Sequence, residues 1–296
     1  MDNNNDRKRT LYISDLDGTL LGADSRVSQR STAILNELVR RGVMFTCATA
    51  RTPATVQPLL SGIRQSVFTD AEGMQRPLPA IVMTGAGMWN RAESRFEKCS
   101  LIGREDAEAI HRVFVSQELR PFVYCVGESG FINVYHPEKM TSRENGFYQE
   151  RRNLALKRFH LGQEPARWDR VALFFAIGPV GIVERTAQEL DGLTDCAAAW
   201  YPDILLPDTA LIDLYAPGVS KAKAVRELAV EAGASEVVVF GDNLNDLPMM
   251  RVADLAVAVE NALPQVKAEA DVVVGANYAD AVAEFIASRE GLPLIV

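Results

Sequence analysis

Histidine and cysteine are scarce in this chain. Its 296 residues include three histidines (His111, His136, His160) and four cysteines (Cys47, Cys99, Cys125, Cys196). No two cysteines form a CxxC pair, and the histidines are equally dispersed. Zinc-ligand spacing is therefore absent, and a histidine-based metal site is not expected. Four reduced, mostly buried thiols in a cytoplasmic protein are expected instead. No run approaches the ~18 apolar residues of a membrane span. The polar stretch Met1–Arg9 has no apolar segment behind it and reads as a solvated tail, not a signal peptide. Basic residues are in deficit, 31 against 39 acidic ones, for a net charge of −8. Without a basic stripe, general nucleic-acid binding is not expected. A small phosphorylated ligand stays open, because a metal and a few cations reverse the sign locally.

What is present is ordinary globular composition: 48% apolar, 24% charged and 7% aromatic residues. A chain of this length divides into two domains, since single cores stop growing near ~250–300 residues. Short apolar runs alternate with helical patterns. Leu11–Ser14, Val43–Ala48 and Ala80–Met83 read as strands, with a helix over Gln29–Arg40 and another starting at Thr52-Pro53. The same rhythm returns at Leu211–Tyr215, Lys221–Ala232, Val237–Phe240, Ala256–Val259 and Asp271–Val274. Such β-α-β alternation is the mark of an α/β parallel sheet with helices on its faces. Between these halves, strands at Phe122–Val126, Phe131–Tyr135 and Val171–Ile177 stand beside helices over Arg104–Glu118 and Val180–Leu190. The expected organisation is a discontinuous core, residues 1–85 and 206–296, split by an inserted α+β domain, residues 86–205. Hinges are expected near Gly85-Ala86-Gly87 and Pro207-Asp208.

Four places carry chemistry. Asp15-Leu-Asp17-Gly18-Thr19 directly follows the first strand. Two carboxylates leaving a buried strand are costly unless something satisfies them. A hard cation such as Mg²⁺ is a natural partner for oxygen ligands; the plainer reading is a surface Asp-Gly turn. Gly241-Asp242-Asn-Leu-Asn245-Asp246 follows the strand Val237–Phe240. Asp246 is also placed to cap the helix beginning near Leu247-Pro248, which leaves Asp242 unaccounted for. Thr49-Ala50-Arg51 ends the second strand, where a hydroxyl and a guanidinium beside a helix start form a phosphate cradle; alone, they equally suit a cap and a solvated arginine. Lys221 opens a helix, where the helix dipole disfavours a cation, although a solvated lysine is the plainer reading. All four fall at strand C-terminal ends or the helix starts that follow, in the usual ligand crevice of an open α/β sheet.

Asp15-x-Asp17-Gly-Thr, Thr49, Lys221 and Gly241-Asp242-x-x-Asn245-Asp246, in this order, resemble the four motifs of the haloacid dehalogenase (HAD) superfamily. The long insert resembles the α+β cap of its Cof-type sugar-phosphatase branch. Val259-Glu-Asn261-Ala262 and Ala270-Asp271-Val-Val resemble what that branch carries after its fourth motif. The chain departs from the pattern at Ala50, where Gly is usual, at Thr84 of Thr84-Gly85-Ala86, where Asn is common, and at Gly275 and Ala281.

The resemblance implies a Rossmann-like core, a smaller cap and a Mg²⁺-dependent phosphomonoesterase working through an aspartyl-phosphate. By that resemblance Asp15 is the nucleophile and Asp17 the acid–base. The metal is held by Asp15, the Asp17 carbonyl and Asp242, with Asn245 and Asp246 orienting ligands. Thr49 and Lys221 bind phosphate oxygens, and Ala50, Arg51 and Asn245 join the substrate site. Asp17 favours phosphatase or phosphomutase chemistry; a phosphomutase and a non-catalytic phospholigand-binding protein are the competing readings. The implied partner is a small phosphorylated metabolite, a sugar phosphate or a phosphorylated cofactor. Cap contacts are expected on His136-Pro-Glu-Lys139 and Arg143-Glu-Asn145.

Overall fold

The computed structural model describes residues 9–203 and 206–293. The expected tail Met1–Arg9, apart from Arg9, and the expected boundary at 205/206, for Leu205, lie outside the described residues. The chain forms two compact units, Met1–Glu97 with Ser220–Val296, and Lys98–Val219.

The first unit begins with β1 (Thr10–Ser14), α1 (Gln29–Arg40), β2 (Met44–Cys47), α2 (Pro53–Leu59), β3 (Val67–Thr69), β4 (Gln75–Pro77), β5 (Ala80–Val82), β6 (Gly87–Asn90) and β7 (Arg95–Cys99). The second unit follows with α3 (Arg104–Ser116), β8 (Phe122–Val126), β9 (Ile132–His136), α4 (Ser142–Arg151), β10 (Lys157–Leu161), β11 (Val171–Pro179), α5 (Val180–Asp191), β12 (Ala197–Pro202) and β13 (Thr209–Tyr215). The chain then re-enters the first unit through α6 (Lys221–Glu231), β14 (Glu236–Gly241), α7 (Leu247–Met250), β15 (Leu255–Ala258), α8 (Pro264–Glu269), β16 (Val272–Val273) and α9 (Ala281–Arg289).

In the first unit, five parallel strands run in the order β16-β15-β14-β1-β2. Leu11, Tyr12 and Ile13 of β1 are buried, as are Val238, Val239 and Phe240 of β14. Continuous apolar runs of this kind are what a parallel sheet covered on both faces requires. Register brings Ser14 opposite both Phe240 and Cys47. The residues after β1, β2 and β14 therefore leave the sheet along one edge, with β1 between partners that come from opposite ends of the chain. Ligands of open α/β sheets bind at such an edge.

Two features of this unit were not legible from periodicity. Residues 67–77 form the small hairpin β3–β4. Strand β5 is not a rung of the parallel ladder; it pairs antiparallel with β6 in the sheet β5-β6-β7 and is joined to the end of β2 by a parallel bridge between Ala48 and Ile81.

The second unit holds a six-stranded mixed sheet, β10-β9-β8-β11-β13-β12. Phe122 sits at the centre of an aromatic cluster with His136, Phe147, Phe159 and Phe175. Phe114 of α3 stacks on Phe174 of β11.

Three expectations need correction. Leu211–Tyr215 does not resume the core rhythm, because β13 pairs antiparallel with β11 and β12. Its burial alternates, with Ala210, Ile212 and Leu214 inside and Leu211 and Asp213 partly exposed, which suits an antiparallel strand with two unlike faces. The compact units meet at Glu97/Lys98 and Val219/Ser220, not at 85/86 and 205/206. The cause at the first limit is the pairing of Gly87–Asn90 with β5, and at the second the pairing of β13 with β11. Pro207-Asp208 consequently lies within the second unit.

The cysteines are free thiols. Burial pushes Cys47, Cys99 and Cys125 up to about 12, so none of these three is a ready thiolate.

Candidate active site

Asp15 lies just past β1, held to the sheet by its N–H, which donates to the Phe240 carbonyl at 3.0 Å. The chain turns at once through Leu16–Leu20. Gly18 is left-handed there (φ +79°), and a Cβ on it would fall 2.4 Å from Asp242 Oδ2. Glycine is thus needed for both backbone conformation and close approach. Asn261, from the segment after the fourth motif, donates through Nδ2 to the Gly18 carbonyl at 2.7 Å and fixes the turn.

At the start of α6, Ser220 Oγ accepts the Lys223 N–H at 3.1 Å. This cap sets the direction in which Lys221 enters the interior. The Lys221 ammonium donates to Asp15 Oδ1 at 2.6 Å and to Asp246 Oδ1 at 2.7 Å. All three side chains are buried, Lys221 to 1% residual exposure. The plainer reading of Lys221 as a solvated lysine does not survive this. Asp246 does not cap α7 with its side chain. Its Oδ2 instead reaches back to accept the N–H groups of Asp242 and Asn243, at 3.1 and 3.2 Å. Asp242 Oδ1 accepts the Thr19 hydroxyl at 2.7 Å.

Burial dominates the electrostatics. It pushes the Asp15 carboxyl up to about 7, with Lys221 pulling against it and Asp246 adding to it. Burial also raises Asp242, partly offset by the Thr19 hydrogen bond. For Lys221 burial works against the charge, but Asp15 and Asp246 outweigh it and hold the ammonium above its ordinary value.

Carboxylate oxygens of Asp15, Asp242 and Asp246 lie within 4.8 Å of one another. Among the described residues, the Lys221 ammonium is the cation hydrogen-bonded within this group of three carboxyls, so acidic groups outnumber it. A divalent hard cation matches that deficit and that all-oxygen donor set. Among the described residues, Asp15 Oδ2 and Asp242 Oδ2 accept no hydrogen bond, whereas both oxygens of Asp246 are engaged. The residues fit Mg²⁺, with Asp15 and Asp242 offering free oxygens and Asp246 bracing Lys221 and the turn.

Other expected site residues are placed differently. The buried Thr49 accepts the Arg51 N–H on its Oγ1 at 3.1 Å. Ala50 is exposed in the bend after β2, and Asn245 is exposed in the single 3-10 turn Leu244–Asp246. Asp17 does not turn its carboxylate toward the three acids. It pairs with Arg51, whose Nε and Nη2 donate to its two oxygens at 2.7 and 2.6 Å. The pair raises the Arg51 guanidinium further.

Periodicity missed the backbone that supports Thr49 and Arg51. Met83 (φ +52°) and Thr84 (φ +57°) are left-handed, and Gly85 follows at +100°. The Met83 N–H donates to the Arg51 carbonyl at 2.9 Å and the Thr84 N–H to that of Thr49 at 3.0 Å. Consecutive left-handed residues outside glycine store strain that surrounding contacts must overcome. The only sequence signal was Thr84-Gly85 after an apolar run.

In the second unit, His136 is buried and stacked on Phe122, with Nδ1 2.8 Å from the Pro137 carbonyl and Nε2 without a hydrogen-bond partner among the described residues. Glu144 closes a capping box with Thr141 and meets Arg120 at 3.3 Å.

A family model described as haloacid dehalogenase-like hydrolase matches residues 12–286, which takes in every element of this site. The chain belongs to this family. Among relatives by sequence, the chain is 24% identical over 285 residues to "Endoribonuclease YBEY, chloroplastic" of Arabidopsis thaliana, covering 94% of the chain and 46% of that protein. It is 36% identical over 97 residues to the pyridoxal phosphate phosphatase YbhA of Escherichia coli, covering 32% of the chain and 33% of that protein. The chain thus spans half or less of these two relatives. Over 282 residues it is 28% identical to a phosphoglycolate phosphatase of Methanopyrus kandleri, covering 94% of the chain and 95% of that protein. The structure of a haloacid dehalogenase-like hydrolase from Bacteroides thetaiotaomicron superimposes with a TM-score of 0.72 at 20% identity, over 95% of this chain and 99% of that one. The HAD fold therefore extends along nearly the whole chain. No helix among the described residues is long and apolar enough to cross a membrane.

Proposed function

We propose that this chain is a Mg²⁺-dependent phosphomonoester hydrolase. Its substrate is a small phosphorylated metabolite, a sugar phosphate or a phosphorylated cofactor. One observation carries the reading: a buried lysine holds two buried aspartates at one edge of the sheet, beside a third aspartate with a free oxygen.

Asp15 is the nucleophile. An oxygen of its carboxylate attacks phosphorus, the bond from phosphorus to the leaving oxygen breaks, and an aspartyl-phosphate forms. Lys221 fixes the Asp15 carboxylate through Oδ1, at 2.6 Å. Lys221 also lowers the repulsion between this carboxylate and an approaching phosphate. Mg²⁺, held by Asp15 and Asp242, supplies charge neutralisation for the phosphoryl oxygens. Asp17 gives a proton to the leaving oxygen and takes one from the water that later cleaves the acyl phosphate. Thr49, at the end of β2, contributes a hydroxyl to the phosphoryl site, and Asn245 orients ligands from the opposite loop. The unit Lys98–Val219 is assigned as the substrate-specificity cap domain.

The test is phosphate release from a panel of phosphomonoesters, with and without Mg²⁺, for the native protein and Asp15→Asn. Release that requires Mg²⁺ and vanishes in Asp15→Asn is expected. Turnover by folded Asp15→Asn at the native rate refutes the assignment.

A further inference from the structure

The cradle expected of Thr49-Ala50-Arg51 gives Arg51 to a phosphate. The structure gives it to Asp17. Nε and Nη2 of Arg51 take one carboxylate oxygen each, at 2.7 and 2.6 Å. This two-pronged fit is the strong form of a charge-assisted hydrogen bond, and it fixes a plane as well as a distance. The Nε–Nη2 edge is thereby used, leaving Nη1 and the second Nη2 hydrogen for any other anion.

Nothing else among the described residues bonds the Asp17 carboxylate, whose side chain is 52% exposed. Left alone, an aspartate at such a place samples several rotamers. Arg51, by contrast, is anchored. Its N–H donates to Thr49 Oγ1 at 3.1 Å, and its carbonyl accepts the Met83 N–H at 2.9 Å. The receiving strand end is in turn held in the left-handed run Met83-Thr84-Gly85. A chain of fixed contacts thus runs from β5 through the second-motif loop to a carboxylate that has no other support.

We propose that Arg51 is the positioning residue for Asp17, acting on proton transfer and not as a grip on substrate. This rests on the reading of Asp17 as the acid–base group. Proton transfer needs the acid within hydrogen-bond reach of the leaving oxygen, and losing that alignment removes a factor of roughly 10–100. The step balances: Asp17, protonated from solvent on a lone pair that Arg51 leaves open, gives that proton to the leaving oxygen as the phosphorus–oxygen bond breaks, and is left as the carboxylate that Arg51 holds. An alkoxide needs that proton, whereas 4-nitrophenolate leaves without it.

Leaving-group dependence therefore separates the roles. For Arg51→Met, kcat on a turned-over alkyl phosphate is expected to fall roughly 10–100-fold with KM within about threefold, and kcat on 4-nitrophenyl phosphate to fall no more than about threefold. Arg51→Lys should recover little, because a point charge lacks the fork. Adding Arg51→Met to Asp17→Asn should cost nothing further. Equal losses on both esters, a rise in KM alone, or full additivity with Asp17→Asn would overturn the proposal. A readout independent of turnover guards against failure of the phosphatase reading itself. The ¹³C carboxyl resonance of Asp17, assigned with Asp17→Asn, should be displaced or broadened in Arg51→Met; an unchanged resonance overturns the positioning role even in a protein that hydrolyses nothing.

Discussion

The raised Asp15 carboxyl makes stability depend on pH and on Mg²⁺ in a way that can be worked through. Its folded value is about 7 against an ordinary 3.8, with burial as the main cause. The group's contribution is therefore fully present below the unfolded value near 3.8 and is lost as pH rises through about 7. Each unit of difference is worth about 1.4 kcal/mol, so ionising Asp15 without metal costs roughly 2–3 kcal/mol between about pH 5 and pH 8. Metal binding needs the carboxylate, so Mg²⁺ must stabilise more at high pH than at low. At ~100 times its dissociation constant it returns about 2.7 kcal/mol, comparable to the loss. Other groups titrate in this window. Burial lowers His111 and His136, which gives the opposite slope, and raises Asp213 to about 6, which gives the same slope. Asp15→Asn leaves these in place and isolates the Asp15 contribution. The assay is urea unfolding of both proteins at several pH values, with chelator and with Mg²⁺. A native-minus-mutant difference that is flat from pH 5 to 8 refutes the reasoning, as does Mg²⁺ stabilisation that is the same at both ends.

Lys221→Met removes the cation buried between Asp15 and Asp246 and should destabilise the metal-free protein by roughly 3–5 kcal/mol, read as a lower urea midpoint that Mg²⁺ partly restores. Gly18→Ala places a Cβ 2.4 Å from Asp242 Oδ2 at a left-handed position. Calorimetry should then show Mg²⁺ affinity at least ~10-fold weaker, since a displaced donor oxygen loses the coordination geometry. Thr84→Asn puts a residue that tolerates left-handed backbone at φ +57°. It should raise stability by roughly 0.5–1 kcal/mol in the same unfolding assay.

By itself, the sequence determined what local chemistry and periodicity can encode. Helix α1 spans Gln29–Arg40 as its amphipathic spacing predicts, and β1, β8 and β14 follow from short apolar runs. The carboxylates after β1 and β14 stand out because charge at the end of a buried strand needs a partner. Tertiary structure alone decided who the partners are. That Lys221 bridges Asp15 and Asp246 depends on β1 lying beside β14 and on α6 entering from its Ser220 cap. That Arg51 serves Asp17 depends on where β5 holds the loop after β2. The membership of β13 was equally illegible, because a run of five residues states its faces but not its neighbours. The same holds for the left-handed Met83-Thr84, where long-range contacts override local preference. Period and composition are properties of a segment; pairing, burial and the direction of a charge belong to segments brought together from distant parts of the chain.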